Sequence, residues 1–193
     1  MPRITSLRAQ RGDRVAVELD GAAWRVLPLE VVVRAALRVD DELDRVRART
    51  VRRELRRHEA LAASAGALRR RDLSTRRLEQ RLERRAVPPA ERTRAVETLT
   101  RAGLLDDGRF ARGRAQALAA RGYGDAAIRL DLERQGVDAE LAAEALAELE
   151  PERDRALRLA ATAGSAARAA RLLARRGFGE EAIEAAVGVA ENG

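Results

Sequence analysis

Residues 75–99 read TRRLEQRLERRAVPPAERTRAVETL, and residues 125–149 read DAAIRLDLERQGVDAELAAEALAEL. Laid over one another without a gap, at an offset of 50, they put Leu78 on Ile128, Leu82 on Leu132, Glu83 on Glu133, Arg84 on Arg134, Val87 on Val137, Ala95 on Ala145, Val96 on Leu146 and Leu99 on Leu149. A further offset of 41 aligns a third copy, with Leu132 on Leu173, Arg134 on Arg175, Gly136 on Gly177, Val137 on Phe178, Ala145 on Ala186 and Leu146 on Val187. Self-similarity at a fixed period marks a chain built from stacked copies of one unit. Within the unit, apolar residues at i and i+4 (Leu78/Leu82, Ile128/Leu132, Ala169/Leu173) define one face of a helix, and Gly136 or Gly177 ends it in a left-handed residue. Val87, Val137 or Phe178 then fills the corner. A second helix follows, opened by Pro88-Pro89 in the first copy and by an Asp138 N-cap in the second, with a stripe at Leu141, Ala145, Leu146 and Leu149. Two amphipathic helices cannot enclose a core, so the helix before each pair, at about 41–71, 107–121 and 152–163, is the third member. The prediction is a mainly α fold of three tandem three-helix repeats in an elongated array, occupying 41–103, 104–150 and 151–193.

Residues 1–40 follow a different period. Val15, Val17 and Leu19 alternate with Ala16, Glu18 and Asp20, as in a half-buried strand, and Asp20-Gly21 is a hairpin turn before a strand over Ala22 to Leu27. Ile4 to Gln10 supplies a third strand across the Arg11-Gly12-Asp13 turn. Pro28 then stops the sheet and starts a short helix, Leu29 to Leu37. Trp24, the one Trp, is expected to cover this small β-hairpin element.

Composition agrees with thin helical layers. Of 193 residues, 46% are hydrophobic but only 2% aromatic, so the apolar share is Ala, Leu and Val, which suit closely packed helices. Without Cys there is no disulfide, thiolate metal site or cysteine nucleophile. Without Lys, a Walker A loop and Schiff-base chemistry are excluded, and all 38 basic residues are Arg, opposing 31 acids for a net charge of +7. No apolar run approaches the ~20 residues that span a bilayer, and no secretory leader is visible, so a cytoplasmic protein making no membrane contact is expected. One His, one Tyr and four Ser leave little material for acid–base or nucleophilic catalysis. No catalytic residue, metal ligand or cofactor site is predicted.

The middle copy carries the most recognisable string. Gly103-Leu104-Leu105-Asp106-Asp107-Gly108-Arg109-Phe110-Ala111, followed by Arg121-Gly122-Tyr123-Gly124 and by Ile128, Leu132 and Gln135-Gly136-Val137, resembles the signature of the RecX family of bacterial RecA regulators. The likeness covers roughly residues 50 to 190. It implies tandem three-helix repeats, no enzymatic activity, and binding along the RecA filament that restrains its ATPase and strand-exchange activities in homologous recombination, DNA repair and the SOS response. Two positions depart from the family pattern. Ala127 stands where members often carry a basic residue, and Gly113 lies inside a helix, at about 1 kcal/mol relative to Ala, as close packing against a neighbouring helix would require.

Within that signature, Asp106 and Asp107 are expected to cap the following helix rather than bind a metal, since neighbouring acids at a helix start meet free N–H groups and the positive end of the dipole. Arg109, Phe110, Gly122, Tyr123 and Gly136 are read as structural partners of that corner; base stacking is the sharper alternative for Tyr123. The working surface is read instead from charge. Between Arg45 and Arg85, 15 Arg face five acids, whereas from Asp131 to Ala160 nine acids face four Arg. Arg52, Arg53, Arg56, Arg57, Arg69, Arg70, Arg71, Arg76, Arg77, Arg81, Arg84 and Arg85 form the candidate basic patch. Guanidinium groups pair with carboxylates and phosphates alike, so the partner is an acidic RecA surface, DNA within the filament, or both, with direct nucleic-acid contact weak or indirect and the protein itself monomeric. The competing reading is an autonomous helix-turn-helix DNA-binding protein.

Overall fold

The computed structural model describes residues 1–191. Strands β1 (Ile4–Gln10), β2 (Arg14–Leu19) and β3 (Ala22–Pro28) form an antiparallel sheet in the order β1-β2-β3. The period-two pattern does what it predicts: Val15 and Val17 are buried while Ala16 and Glu18 are only half-buried. Asp20 and Gly21 both take positive φ, +50° and +82°, as a tight two-residue hairpin requires. Trp24 packs half-buried against the core that Ile4, Val17, Leu27 and Val31 build beneath the sheet.

Helix α1 (Leu29–Arg34) is shorter than its apolar pattern suggests, because Ala36 turns the chain with φ +49°. Helix α2 (Arg45–Leu68) starts later than expected for a related reason. The chain before it runs beside β1, with Ile4 N–H donating to the Asp41 carbonyl at 2.9 Å and Leu43 N–H to that of Pro2 at 2.8 Å. The Asp44 carboxylate then caps α2 by accepting from Arg47 N–H at 2.7 Å.

The remaining helices are α3 (Thr75–Glu83), α4 (Pro89–Arg101), α5 (Asp107–Ala120), α6 (Asp125–Gln135), α7 (Ala139–Ala147), α8 (Glu152–Ala160), α9 (Ala166–Arg175) and α10 (Glu180–Glu191). The three repeat corners share one hydrogen-bond pattern: Val87 N–H to Leu82 O at 3.1 Å, Val137 N–H to Leu132 O at 3.1 Å and Phe178 N–H to Leu173 O at 3.2 Å. Such six-residue closures follow a left-handed residue. Gly136 and Gly177 supply it at φ +80° and +75°, but the first copy places Ala86 there, at φ +55°.

The chain divides into two compact units. The first comprises Met1–Arg70 and Glu79–Leu99, the second Arg71–Leu78 and Thr100–Gly193. In the second unit α5, α6 and α7 close on Ala111, Ala115, Ile128, Leu132 and Ala145. Helices α8, α9 and α10 close on Ala156, Ala169, Ala182 and Ala186 around Leu173 and Phe178. Alanines at these positions bring helix axes together, which is why a chain so poor in aromatics still forms cores. Gly113 is not explained this way: it is exposed, and a Cβ there would meet no atom within 4 Å.

Candidate functional site

The signature acids do two different jobs. Asp106 caps its own helix, its carboxylate accepting from Arg109 N–H at 2.8 Å, and that bond holds its pKa below the ordinary carboxylate range. Asp107 reaches another helix, accepting from Thr75 N–H at the start of α3 at 2.7 Å. The Arg109 guanidinium donates to the Gly103 and Leu104 carbonyls at 3.1 and 3.4 Å, tying down the turn before α5. Phe110 and Tyr123 pack half-buried on the α5–α7 core, and Gly122 turns the chain after α5 with φ +77°.

The Asp107–Thr75 bond belongs to a joint that the second unit builds twice. At the first, the Ser74 hydroxyl donates to the Gln135 carbonyl and Arg77 Nε donates to Gln135 Oε1 at 2.9 Å. The Arg76 stem lies over Gly136, where a Cβ would stand 2.6 Å from its own Cβ. At the second, Gly124 N–H donates to the Arg176 carbonyl at 2.9 Å and Asp125 N–H to Glu152 Oε1 at 2.6 Å. A Cβ on Gly177 would stand 2.6 Å from that of Ala127. Ala127, one of the two departures from the family pattern, is therefore a packing contact. The offset of 50 puts Ser74 on Gly124 and Thr75 on Asp125, and the offset of 41 puts Gln135 on Arg176, so both joints use corresponding positions. Each joint is closed by a carboxylate from the first turn of the following repeat, Asp107 or Glu152.

Residue-type patterns did not single out Arg155, yet it holds the second joint. Its side chain is 6% exposed, donates to the Glu150 carbonyl at 2.9 Å and the Tyr123 carbonyl at 3.0 Å, and pairs with Asp125. Those partners lie up to 32 residues away, which no local pattern reports. Arg114 was equally unmarked; it grips Asp131 through two bonds of 2.7 and 2.9 Å, which lower the Asp131 pKa and raise its own. In the first unit His58 of α2 meets Glu30 of α1 at 3.1 Å. The bonds from Arg34, then His58, hold the Glu30 carboxyl below its usual range.

The candidate basic residues are distributed over both units. Arg71, Arg76 and Arg77 belong to the second unit, the other nine to the first. Arg76 and Arg77 are engaged in the joint just described. Arg53 pairs with Glu54 at 3.1 Å and Arg56 with Glu91 at 3.8 Å. Arg57 and Arg81 are half-buried, each with a buried Nε that makes no hydrogen bond. Arg52, Arg69, Arg70, Arg84 and Arg85 of the first unit, and Arg71 of the second, are exposed and form no ion pair among the described residues.

A protein of Xanthomonas axonopodis pv. citri named Regulatory protein RecX is 37% identical to this chain over 131 residues, spanning 63% of the chain and 81% of the relative. The chain belongs to the RecX family. Regulatory protein RecX of Halorhodospira halophila is 34% identical over 139 residues, covering 67% of the chain and 86% of that protein. The model of the RecX second three-helix domain matches residues 106–146, the stretch from the Asp106 cap through α7. A crystal structure of regulatory protein RecX superposes with a TM-score of 0.83 at 19% identity, covering 96% of this chain and 98% of that one. RecX from Lactobacillus salivarius superposes at 0.66 with 16% identity, over 71% and 97% of the two chains. The RecX fold is thus shared over nearly the whole chain, N-terminal sheet included.

Proposed function

We propose that this RecX protein is a non-enzymatic regulator that acts as a monomer on the RecA filament, using exposed arginines of the first unit to restrain ATP turnover and strand exchange. The observation that carries this reading is the location of the charge. The first unit holds 21 arginines against 14 acids and the second 17 against 17, so the entire net charge of +7 lies in one unit. A local surplus with no internal carboxylates to meet it favours an acidic partner. The relatives' shared name, a regulatory protein, supports the same direction. Among the described residues no helix is long and apolar enough to cross a membrane.

The test is ATP hydrolysis by the cognate RecA on single-stranded DNA, with and without this protein. Inhibition is expected from the wild type and at least a tenfold weaker inhibition from a variant with Arg52, Arg69, Arg70, Arg84 and Arg85 replaced by Ala. Because these side chains are exposed and unpaired, the melting temperature should stay close to wild type. Undiminished turnover at saturating wild-type protein sinks the regulatory reading, and full inhibition by the variant sinks the surface assignment. An autonomous helix-turn-helix role fares worse: α7 (AELAAEALA) and the corresponding α10 offer Ala and Glu where base-reading helices carry Arg, Asn or Gln.

A further inference from the structure

The third strand leaves a backbone edge open beside a helix of the first unit. Strand β3 is the last in the sheet and pairs with β2 on one side. Leu29 N–H donates to the Asp13 carbonyl at 2.8 Å, and that bond sets the alternation along the two strands. Leu27 and Arg25 exchange ladder bonds with Val15 and Val17, while Val26, opposite Ala16, turns its N–H and carbonyl to the far side. There the Arg14 guanidinium approaches the Val26 carbonyl to 3.5 Å, and the Val26 N–H meets no acceptor among the described residues. An unpaired strand edge is a template for another strand. Pro28 closes one end of this edge, but Val26 in its middle has no cover.

Across from the edge runs α2. The groove between them, about 530 Å³ and so the size of a ligand-binding cleft, has residues 25–28 as one wall and Leu55, Ala62 and Ala63 as the other. Two alanines keep the helix wall low. Arg14, Arg25 and Arg85 line the groove with exposed side chains, and among the described residues none of them forms an ion pair. Arg25 lies instead 5.9 Å from the Trp24 ring centroid. Glu59 is the one acid of the lining, and its neighbour His58 is held by Glu30 at 3.1 Å. The groove therefore combines unmet backbone groups, a shallow apolar wall and a surplus of positive charge. A second copy of the chain is the wrong occupant, because pairing two β3 edges brings the arginines of one copy against those of the other.

We propose that this groove binds an extended acidic peptide segment of a partner protein, which adds to the sheet as a fourth strand beside β3. Backbone bonds to Val26 set its register, and apolar side chains on one face of the segment pack on Leu55, Ala62 and Ala63. Its carboxylates meet Arg14, Arg25 and Arg85, whose guanidiniums bind them bidentately. A nucleic-acid strand offers no ladder of N–H and C=O groups to Val26, so the open edge, and not the arginines alone, selects a peptide. Arg85 is shared with the exposed arginines considered above, whereas Arg14 and Arg25 are not. The groove goes beyond the filament reading and does not rest on it: a peptide site in the first unit stands whether or not ATP turnover is restrained.

The test is fluorescence anisotropy of a labelled peptide of alternating valine and glutamate with the full chain, without recombinase or DNA, so its outcome is independent of ATPase inhibition. Saturable binding is expected, together with slower hydrogen exchange at the Val26 amide, which a purely electrostatic contact leaves unchanged. Ala62→Glu puts a carboxylate on the exposed helix wall and is expected to weaken binding about tenfold, and Arg25→Ala about fivefold. Arg11→Ala, an exposed arginine in the turn after β1, should leave binding as it is and serves as the control. The same peptide N-methylated at alternate residues is expected to lose binding, and it probes strand pairing on the unaltered protein, whatever the variants do to stability. No binding by the wild type, equal binding of the N-methylated peptide, an unprotected Val26 amide, or equal losses from Arg11→Ala and Arg25→Ala overturns the proposal. So does self-association that protects Val26 without peptide, which gives the edge to a second copy, or protection of Val26 by oligothymidylate, which gives the groove to nucleic acid.

Discussion

The first unit and the second use the same residue, arginine, in different ways. In the first, arginines outnumber acids 21 to 14, and several, such as Arg52, Arg69 and Arg84, stand exposed without a carboxylate. In the second, numbers are equal, and arginines are structural members: Arg155 threads a joint, Arg114 grips Asp131, Arg158 grips Glu150, and Arg77 holds Gln135. Charge density along the chain therefore does not tell which arginines are engaged within the fold; that depends on whether a guanidinium's donors are already taken.

That contrast can be broken by mutation. The largest effect is expected from Arg155→Ala, which leaves the Asp125 carboxylate and the Tyr123 carbonyl without their donor inside a joint; about 3 kcal/mol should be lost in urea unfolding. A midpoint equal to wild type would show that the second unit does not depend on its arginines. Next come opposite substitutions at the equivalent repeat corners, one in each unit. Gly136→Ala forces a Cβ onto Arg76 at φ +80° and should cost about 2 kcal/mol. Ala86→Gly relieves a φ of +55° and should gain about 0.5 kcal/mol after the added flexibility of the unfolded chain. The same sign from both would mean that the two corners are not equivalent.

The smallest effect is electrostatic. Because Arg114 lowers the Asp131 pKa in the folded state, the pair stabilises the protein above the ordinary carboxylate value of about 4 and loses that contribution as pH falls through the lower, folded-state value. Partial exposure screens it to about 0.5 kcal/mol. Urea midpoints at pH 6 and pH 3 should therefore differ less for Asp131→Asn than for wild type, and parallel curves would remove Arg114–Asp131 from the acid response.

Much of the fold is legible in residue order. The offsets of 50 and 41 locate the repeated helix pairs, Val15 and Val17 locate the sheet, and Asp106 and Asp138 mark helix starts through the N–H groups they accept from. These are local signals, carried by residues within a turn of one another. Asp107 shows where local reading stops. It stands beside a capping acid at a helix start, so its type and position predict a second cap on the same helix, but its bond goes to Thr75, 32 residues earlier. The basic run from Arg69 to Arg85 reads as continuous and is divided between units, because the start of α3 docks on the α6 corner.

Sequence alone determined the repeat, the strand-and-helix order, the low-aromatic core and the family resemblance. Each depends on periodicity or on a contiguous string, and periodicity is a property of the chain before it folds. Tertiary structure decided the rest: that Arg76 and Arg77 close a joint, that Arg155 is a strut, and that Gly113 faces open space. A guanidinium can meet a carbonyl, a carboxylate, a ring or water with similar ease, and only the arrangement of distant segments selects among them.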